Sequence, residues 1–229
     1  MALHTWHNLS ADGNVRGLKY SFGFGTANTM AAKLEDGRWL VVSPAANIAP
    51  DLLDALGGDV AALVAPNGFH HMGQAAWRAR FPAATSYAPA ASIPRLASKA
   101  KGIPFLPIAD LTAKLPASLA LFEPAGMKSP DLFVRATAGA DTVWFTGDLL
   151  SNTTSEDLSA VPRFVFSLFG GNAGYKLNKV PAMVYLKDRA AFVASVRTAI
   201  EAAPATVVYP AHGDAVTDDV MPRTRTILA

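Results

Sequence analysis

Three short apolar runs constrain the fold of this chain more than any other feature. They span Val60–Val64, Thr142–Thr146 and Ala205–Tyr209. Continuous apolar runs of this length are typical of strands that are buried on both faces, in sheets that helices cover. Asp188 can cap a helix whose apolar residues recur at helical spacing between positions 192 and 200. The sequence therefore predicts a mixed α/β protein.

The remaining segments predict the elements around these strands. Strand-like stretches on either side of Asp36-Gly37, a strong hairpin signal, predict a β-meander in the N-terminal third. Gly102–Pro116 holds three prolines and is interpreted as an irregular connection. Ser151–Val180, rich in glycine and aromatic residues, is interpreted as a lid or binding loop, with core packing by a short helix as the alternative. With 229 residues and no linker or repeat, we expect one domain over residues 1–229.

Composition excludes several classes of function. The chain has no cysteine, which excludes a disulfide scaffold, a thiol nucleophile and a thiolate metal site. A net charge of +2 without a Lys/Arg run gives no indication of nucleic-acid binding. No apolar run approaches the ~18 residues of a membrane span, and the N-terminus lacks the pattern of a secretory signal. We therefore expect a cytoplasmic protein that binds neither nucleic acid nor membranes, and a small-molecule substrate whose identity stays open.

Each apolar run ends in a loop that carries potential metal ligands. His70 and His71 follow the first run, Asp148 follows the second and His212 follows the third. In α/β sheets, ligands bind beyond the carboxyl ends of the strands. Three imidazoles and a carboxylate suit Zn(II) or Fe(II). Taken singly, His70 and His71 could be solvated loop residues, Asp148 a turn residue and His212 a packed core residue.

The order of elements and three motifs resemble the metallo-β-lactamase superfamily. The motifs are the loop Ala65–Gln74, Thr146-Gly147-Asp148 and the segment from Tyr209 to Gly213, whose sequence is Tyr-Pro-Ala-His-Gly. The resemblance implies an α/β (α+β) fold, a four-layer αββα sandwich with a metal centre at one edge of its paired sheets. The Pro-Asn-x-x-His-His form of the first motif is similar to a divergent DUF4336-like branch of the superfamily.

The resemblance also implies which metal site is present. In the family, the first motif has the form His-x-His-x-Asp-His. Pro66, Gly68 and Met127 stand at the three histidine positions that hold the first metal, so that site is lost. The positions that hold the second metal carry His70, His71, Asp148 and His212. The implied cofactor is therefore one divalent ion, zinc in the first place, with iron or manganese as alternatives.

The same resemblance sets expectations for the ligands and the reaction. His71 and His212 keep the family residue type, so they are expected to matter more for metal affinity than His70, which replaces an aspartate. The implied function is a mononuclear metal-dependent hydrolase. Its metal-activated water would attack an ester, thioester or lactone-type substrate, with Asp148 as the catalytic residue.

Two alternative functions and several further residues stay open. A non-catalytic metal-binding domain is the main alternative, because four protein ligands can close a tetrahedral site to water. Redox chemistry at iron is another. Lys128, Tyr175 and Lys176 are candidate electrophilic partners, with solvated surface positions as the alternative. His4 and His7 are interpreted as surface residues.

Overall fold

The computed structural model describes residues 2–23, 25–159 and 173–229. In these ranges two sheets pack face to face, and helices cover the outer face of each. This confirms the predicted mixed α/β sandwich. That residues 1–229 form a single domain stays a prediction.

The first sheet contains seven strands in sequence order. They are β1 (Trp6–Asn8), β2 (Val15–Phe22), β3 (Gly25–Lys33), β4 (Trp39–Val42), β5 (Val60–Val64), β6 (Thr85–Ala88) and β7 (Phe105–Pro107). Strands β1 to β4 pair antiparallel, and β4 to β7 pair parallel. The predicted meander is confirmed. Its Asp36-Gly37 turn joins β3 to β4, with Gly37 at a φ of 84°.

The second sheet contains four strands, and a separate hairpin lies between its third and fourth strands in the chain. The sheet strands are β8 (Leu119–Phe122), β9 (Phe133–Ala138), β10 (Asp141–Phe145) and β13 (Val207–Tyr209), in the order β13-β10-β9-β8. The hairpin strands are β11 (Leu150–Thr153) and β12 (Gly174–Leu177). Strands β10 and β13 are parallel, so their carboxyl ends, and the loops that follow, lie at the same edge.

The described helices are short except for one. They are α1 (Pro50–Asp54), α2 (Gln74–Arg80), α3 (Ile93–Lys99), α4 (Ile108–Thr112), α5 (Lys179–Tyr185), α6 (Arg189–Ala202) and α7 (Val220–Ile227), with a 3-10 turn at Ala90–Ser92. Asp188 caps α6 as predicted, because its side chain accepts a hydrogen bond from the backbone N–H of Ala191. No helix in the described ranges combines the length and the apolar character that a membrane crossing requires.

The interpretation of Gly102–Pro116 as an irregular connection is wrong. This segment contains the edge strand β7 and the helix α4, with Phe105, Ile108 and Leu111 buried. Pro107 does not break this structure, because an edge strand tolerates proline and the residue also serves as the N-cap of α4.

Strand alternation builds the layers of the sandwich. In β10, Val143 and Phe145 face the other sheet, while Trp144 packs towards α6. In β4, Val42 faces inward and Val41 packs towards α1 and α2. Successive side chains of a strand point to opposite faces of the sheet. A fully apolar strand therefore packs in two cores, one on each face. This explains why the runs that carry the site are apolar throughout.

The segment interpreted as a lid is only partly described. Its ends form β11, β12 and the start of α5. Residues 160–172, which include Phe164, Phe166 and Phe169, lie outside the described residues. For these residues the lid stays a prediction.

Candidate metal centre

Three of the predicted ligands meet where the two sheets adjoin. His70 lies in the loop after β5, Asp148 in the loop after β10 and His212 in the loop after β13. One potential ligand atom from each lies within 4.8 Å of the other two. Strand β5 belongs to the seven-stranded sheet, and the other two strands belong to the four-stranded sheet. The group therefore forms only when both sheets are packed together.

The distances within the group suit a shared metal ion. Asp148 Oδ1 lies 3.0 Å from His70 Nε2 and 3.2 Å from His212 Nε2. Two ligands bound tetrahedrally to zinc at 2.0–2.1 Å would lie about 3.3 Å apart. Asp148 also contacts both histidines directly, through charge-assisted hydrogen bonds.

The second ring nitrogen of each histidine has a partner of its own. His212 Nδ1 lies 2.8 Å from the carbonyl oxygen of Thr26. A carbonyl only accepts, so this nitrogen carries the hydrogen, and Nε2 is the atom that faces Asp148. His70 Nδ1 lies 2.8 Å from the hydroxyl oxygen of Ser43. Histidines that bind metals are usually oriented by such bonds from the other nitrogen.

Ser43 holds His70 from a left-handed backbone conformation. It is fully buried directly after β4, and its φ is 55°. Its N–H donates to the carbonyl of Val64, and its own carbonyl accepts from the Thr29 hydroxyl at 2.6 Å. Left-handed residues other than glycine carry backbone strain and cluster at functional sites. In this left-handed conformation, the Ser43 hydroxyl lies against the His70 ring.

The carboxylate of Asp148 is fixed from both sides. Its Oδ2 accepts hydrogen bonds from Asn67 Nδ2 and from the Tyr185 hydroxyl, each at 2.9 Å. Burial acts to raise the pKa of Asp148, but His70 and His212 outweigh it and hold that pKa well below its usual range. Burial and the negative charge of Asp148 raise the pKa of Tyr185, so Tyr185 remains a phenol that donates its proton.

Asp131 is a buried second carboxylate beneath the group. Its Oδ2 accepts from the backbone N–H groups of Asp148 at 2.8 Å and Leu149 at 3.1 Å, and its Oδ1 accepts from Asn67 at 2.9 Å. Burial and the charge of Asp148 raise the pKa of Asp131 well above its usual value. A side chain at Gly147 would place Cβ 2.4 Å from Asp131 Oδ1, so only glycine fits there.

The sequence did not predict the roles of Asp131 and Asn67. The available signal was an acidic residue directly before the apolar segment that becomes β9.

His71 does not join the group. It is half-buried, and its Nδ1 is enclosed with no hydrogen-bond partner in the described structure. Burial lowers the pKa of His71. The loop turns tightly here, because the N–H of Gln74 reaches the carbonyl of His71 at 3.3 Å. Adjacent side chains of a tight turn point in different directions, so His71 lies apart from the other three candidate ligands. The expected set of four ligands stays a prediction. The expected ranking of His71 above His70 for metal affinity also stays a prediction.

The other residues singled out in the sequence lie apart from the group. Lys128 is exposed, and its Nζ contacts the carbonyl oxygen of Met183 at 3.4 Å. The Tyr175 hydroxyl is engaged by Thr224 at 3.0 Å. Lys176 Nζ is enclosed without a hydrogen-bond partner in the described structure, and burial lowers its pKa. At the N-terminus, His4 is exposed and His7 is half-buried.

A cavity of about 320 Å³ opens beside the group and shares Asp148 and His212 with it. The rest of its described lining is largely apolar and includes Phe22, Phe69 and Tyr185. The Phe22 ring lies 5.8 Å from the His212 ring between centroids, and the Phe69 ring lies 6.0 Å from that of Tyr185. A molecule bound in this cavity would contact the candidate ligands directly.

Sequence comparisons give no match, neither to a family model nor to a curated protein. Comparison with solved structures does give matches. DIM-1 metallo-β-lactamase matches with a TM-score of 0.64 and 14% identity over 98% of this chain and 96% of its own. FIM-1 from Pseudomonas aeruginosa, in a mono-zinc form, matches with a TM-score of 0.63 and 16% identity over 98% and 94%. A metallo-β-lactamase from Erythrobacter litoralis matches with a TM-score of 0.62 and 17% identity over 97% and 95%. The chain has the metallo-β-lactamase fold.

Proposed function

We propose that the protein belongs to the metallo-β-lactamase superfamily and is a mononuclear metal-dependent hydrolase. His70, Asp148 and His212 would hold one divalent ion, and the substrate would be an ester, thioester or lactone. The observation that carries the proposal is the convergence of the three ligand atoms within 4.8 Å of one another beside an open cavity. Two imidazoles and a carboxylate form a common catalytic zinc set, and iron or manganese could replace zinc.

The surroundings of the ligands support a bound ion. His212 and His70 each have the ring nitrogen that faces away from the group engaged, by Thr26 and Ser43. Asp148 Oδ1 is directed at the rings of both histidines, while Asn67 and Tyr185 donate hydrogen bonds to Oδ2. The fold accommodates a single zinc in at least one other protein, since FIM-1 is described in a mono-zinc form.

The number of ligands favours catalysis over a structural site. Structural zinc sites use four protein ligands, whereas catalytic sites use three and keep a position for water or substrate. His71 would have been the fourth ligand, and it lies outside the group. The cavity borders Asp148 and His212, the side on which a substrate could approach.

A bound divalent ion would supply a Lewis acid that lowers the pKa of water towards about 7. Asp148 would hold that ion through Oδ1, and the donors Asn67 and Tyr185 would keep the carboxylate from rotating. Hydrolysis would join the water oxygen to the acyl carbon, break the bond to the alcohol or thiol, and pass a proton to that leaving group. The apolar cavity would exclude bulk water from the substrate.

The test combines metal content with turnover. Protein purified without added metal would be assayed by elemental analysis, then with p-nitrophenyl butyrate, a butyryl thioester and a γ-lactone, before and after chelation. We expect one ion per chain and turnover that chelation removes and zinc restores. His212→Ala should lose both the ion and turnover, whereas the control His71→Ala should keep both.

Two results would count against the proposal. Turnover that survives chelation would exclude a metal-dependent reaction, and two ions per chain would exclude a mononuclear site. One bound ion without turnover on any substrate would favour the alternative, a non-catalytic metal-binding domain.

A further inference from the structure

We propose that the cavity beside the metal centre is an acyl-chain site that takes a neutral, unbranched chain of about ten carbons. The inference rests on the proposed function for the reaction at the carbonyl end of the substrate. Binding of the chain itself depends only on the cavity. The substrate class would then be a medium-chain acyl ester, thioester or lactone with an uncharged tail.

The volume of the cavity sets the length of the chain. It measures about 320 Å³ and ends at Asp148 and His212 on one side. A water molecule takes about 30 Å³ in the liquid, and a methylene group takes a similar volume, so roughly ten such groups would fill it. A substrate that reaches the candidate ligands with its carbonyl would therefore place most of a medium chain inside.

The wall of the cavity is apolar and continues to the protein surface. Six apolar side chains contribute to it, namely Phe22, Phe69, Leu158, Val180, Pro181 and Val184. Two of them, Phe69 at 44% and Val184 at 43%, are also among the most exposed large apolar residues. Apolar surface of this kind beside a pocket marks a binding region. A chain longer than the cavity would leave it past these two residues.

The charges around the cavity disfavour an anionic tail. Within the described ranges, no lysine or arginine lines it, whereas Asp148 and Asp157 both do. Lys19 lies 2.6 Å from Asp157 and 2.9 Å from Asp214, so one cation is shared between two carboxylates. Among the described residues, Lys19 is therefore already paired and gives the metal-free cavity no free positive charge. An uncharged chain avoids this repulsion.

Several polar groups in the wall are engaged within the protein. Thr26 Oγ1 donates to Asp157 Oδ1 at 2.7 Å, and its backbone carbonyl accepts from His212. The Asn178 side chain accepts from the N–H of Val180 at the start of α5. A hydroxyl-rich ligand such as a sugar would have to break these bonds. The cavity therefore favours a hydrocarbon chain over a polar ligand of the same size.

Binding of 1-alkanols from butanol to dodecanol to metal-free protein tests the inference by titration calorimetry. Each added methylene should tighten binding about fourfold until the cavity is full, near ten carbons, and then have little effect. Decanoate should bind several-fold more weakly than decanol because of its charge. Affinity that is independent of chain length, or tighter binding of decanoate, would overturn the proposal.

Two neighbouring residues of α5 provide matched variants. Val184→Trp places a bulky ring in the cavity and should shorten the chain length at which affinity levels off, with decanol at least about tenfold weaker. Met183→Trp adds the same ring at a residue that is 70% exposed and outside the lining of the cavity. It should therefore leave both decanol affinity and the chain length at which affinity levels off unchanged. Equal effects of the two variants would contradict the site. If Val184→Trp fails to fold, the alkanol series on the unaltered protein still tests whether the cavity binds an acyl chain.

The same measurements separate this inference from the proposed function. Saturable alkanol binding without metal-dependent turnover would support the acyl site and reject the hydrolase. Metal-dependent turnover that is equal for acetyl and decanoyl esters, together with no chain-length dependence of alkanol binding, would reject the acyl site and keep the hydrolase.

Discussion

Asn67 Nδ2 donates a hydrogen bond of 2.9 Å to Asp148 Oδ2 and thereby ties the loop after β5 to the loop after β10. The same amide nitrogen reaches Asp131 Oδ1 at 2.9 Å, and its two hydrogens allow both bonds at once. Asn67 Oδ1 accepts from the N–H of Phe69 at 2.8 Å, at the start of the loop that carries His70. One buried amide thus shapes the loop of one candidate ligand and orients the carboxylate of another.

The first prediction concerns the stability that Asn67 provides. Asn67→Ala removes a donor from two buried carboxylates, Asp131 and Asp148, and leaves both less satisfied. We expect the free energy of unfolding of the metal-free protein to fall by about 2–3 kcal/mol, as for other buried groups that lose a hydrogen-bond partner. Urea unfolding followed by tryptophan fluorescence measures this change.

A surface asparagine with a similar bond is the control. Asn14 Nδ2 donates to Asp12 at 2.8 Å in an exposed turn. Asn14→Ala should cost no more than about 0.5 kcal/mol, because solvent replaces the lost bond. An equal loss in both variants would mean that burial of the Asn67 network contributes nothing of its own.

The second prediction separates the adjacent histidines. His70→Ala should lower zinc affinity by at least about a hundredfold, since it removes one of three ligands, whereas His71→Ala should leave affinity within a few-fold. Titration calorimetry of both variants at pH 7.5 provides the comparison. The larger loss in His71→Ala would restore the ligand set expected from the sequence and reject the one drawn from the structure.

The third prediction concerns the hydroxyl that Tyr185 donates to Asp148. Tyr185→Phe keeps the ring against Phe69 and removes only the bond of 2.9 Å. Groups that orient metal ligands typically contribute 10–100-fold to affinity, so we expect zinc binding to weaken about tenfold. Competition with a chromogenic chelator is sensitive enough to detect it.

Tyr175 supplies the matched control for this variant. Its hydroxyl contacts Thr224, and the side chain packs in the cluster between the second sheet and its helices. Tyr175→Phe should leave zinc affinity unchanged. A tenfold loss there as well would indicate a general effect of losing a buried tyrosine hydroxyl rather than an effect on Asp148.

The fourth prediction is a pH dependence set by Lys19 and Asp157. Burial opposes ionisation of Asp157, but Lys19 outweighs it and lowers the pKa of Asp157 below 3.8. The stability from this carboxylate is therefore present above pH 3.8 and is lost as the pH falls through the lower pKa of the folded state. Asp157→Asn should cost about 2 kcal/mol at pH 7, because Lys19 retains only Asp214 as a partner.

The cost of Asp157→Asn should shrink as the pH is lowered from 4 to 2, since the natural side chain also becomes neutral there. Urea midpoints across this range measure the difference. The control is Asp36→Asn, which removes an ion pair with Arg38 in which both side chains are about half exposed and which should contribute almost nothing. A pH-independent cost in Asp157→Asn would show that shape, and not charge, explains it.

The sequence by itself determined the strands and the positions after them. Fully apolar runs predict strands with two buried faces, and β5, β10 and β13 are such strands. The capping residue Asp188 predicts the start of α6 in the same local way. Because these signals depend on residues near in sequence, they placed Asp148 and His212 at strand ends without knowledge of the fold.

Only the tertiary structure decided which histidine faces Asp148. The loop after β5 packs against the turn after β4, so closely that a Cβ on Gly73 would lie 2.0 Å from the carbonyl oxygen of Pro44. That packing directs His70 towards Asp148 and leaves His71 outside the group. The cavity likewise joins Phe22 and Thr26 to residues of the segments 153–158 and 178–185. Contacts between segments far apart in sequence leave no periodic pattern along the chain, and therefore they emerge only when the two sheets pack.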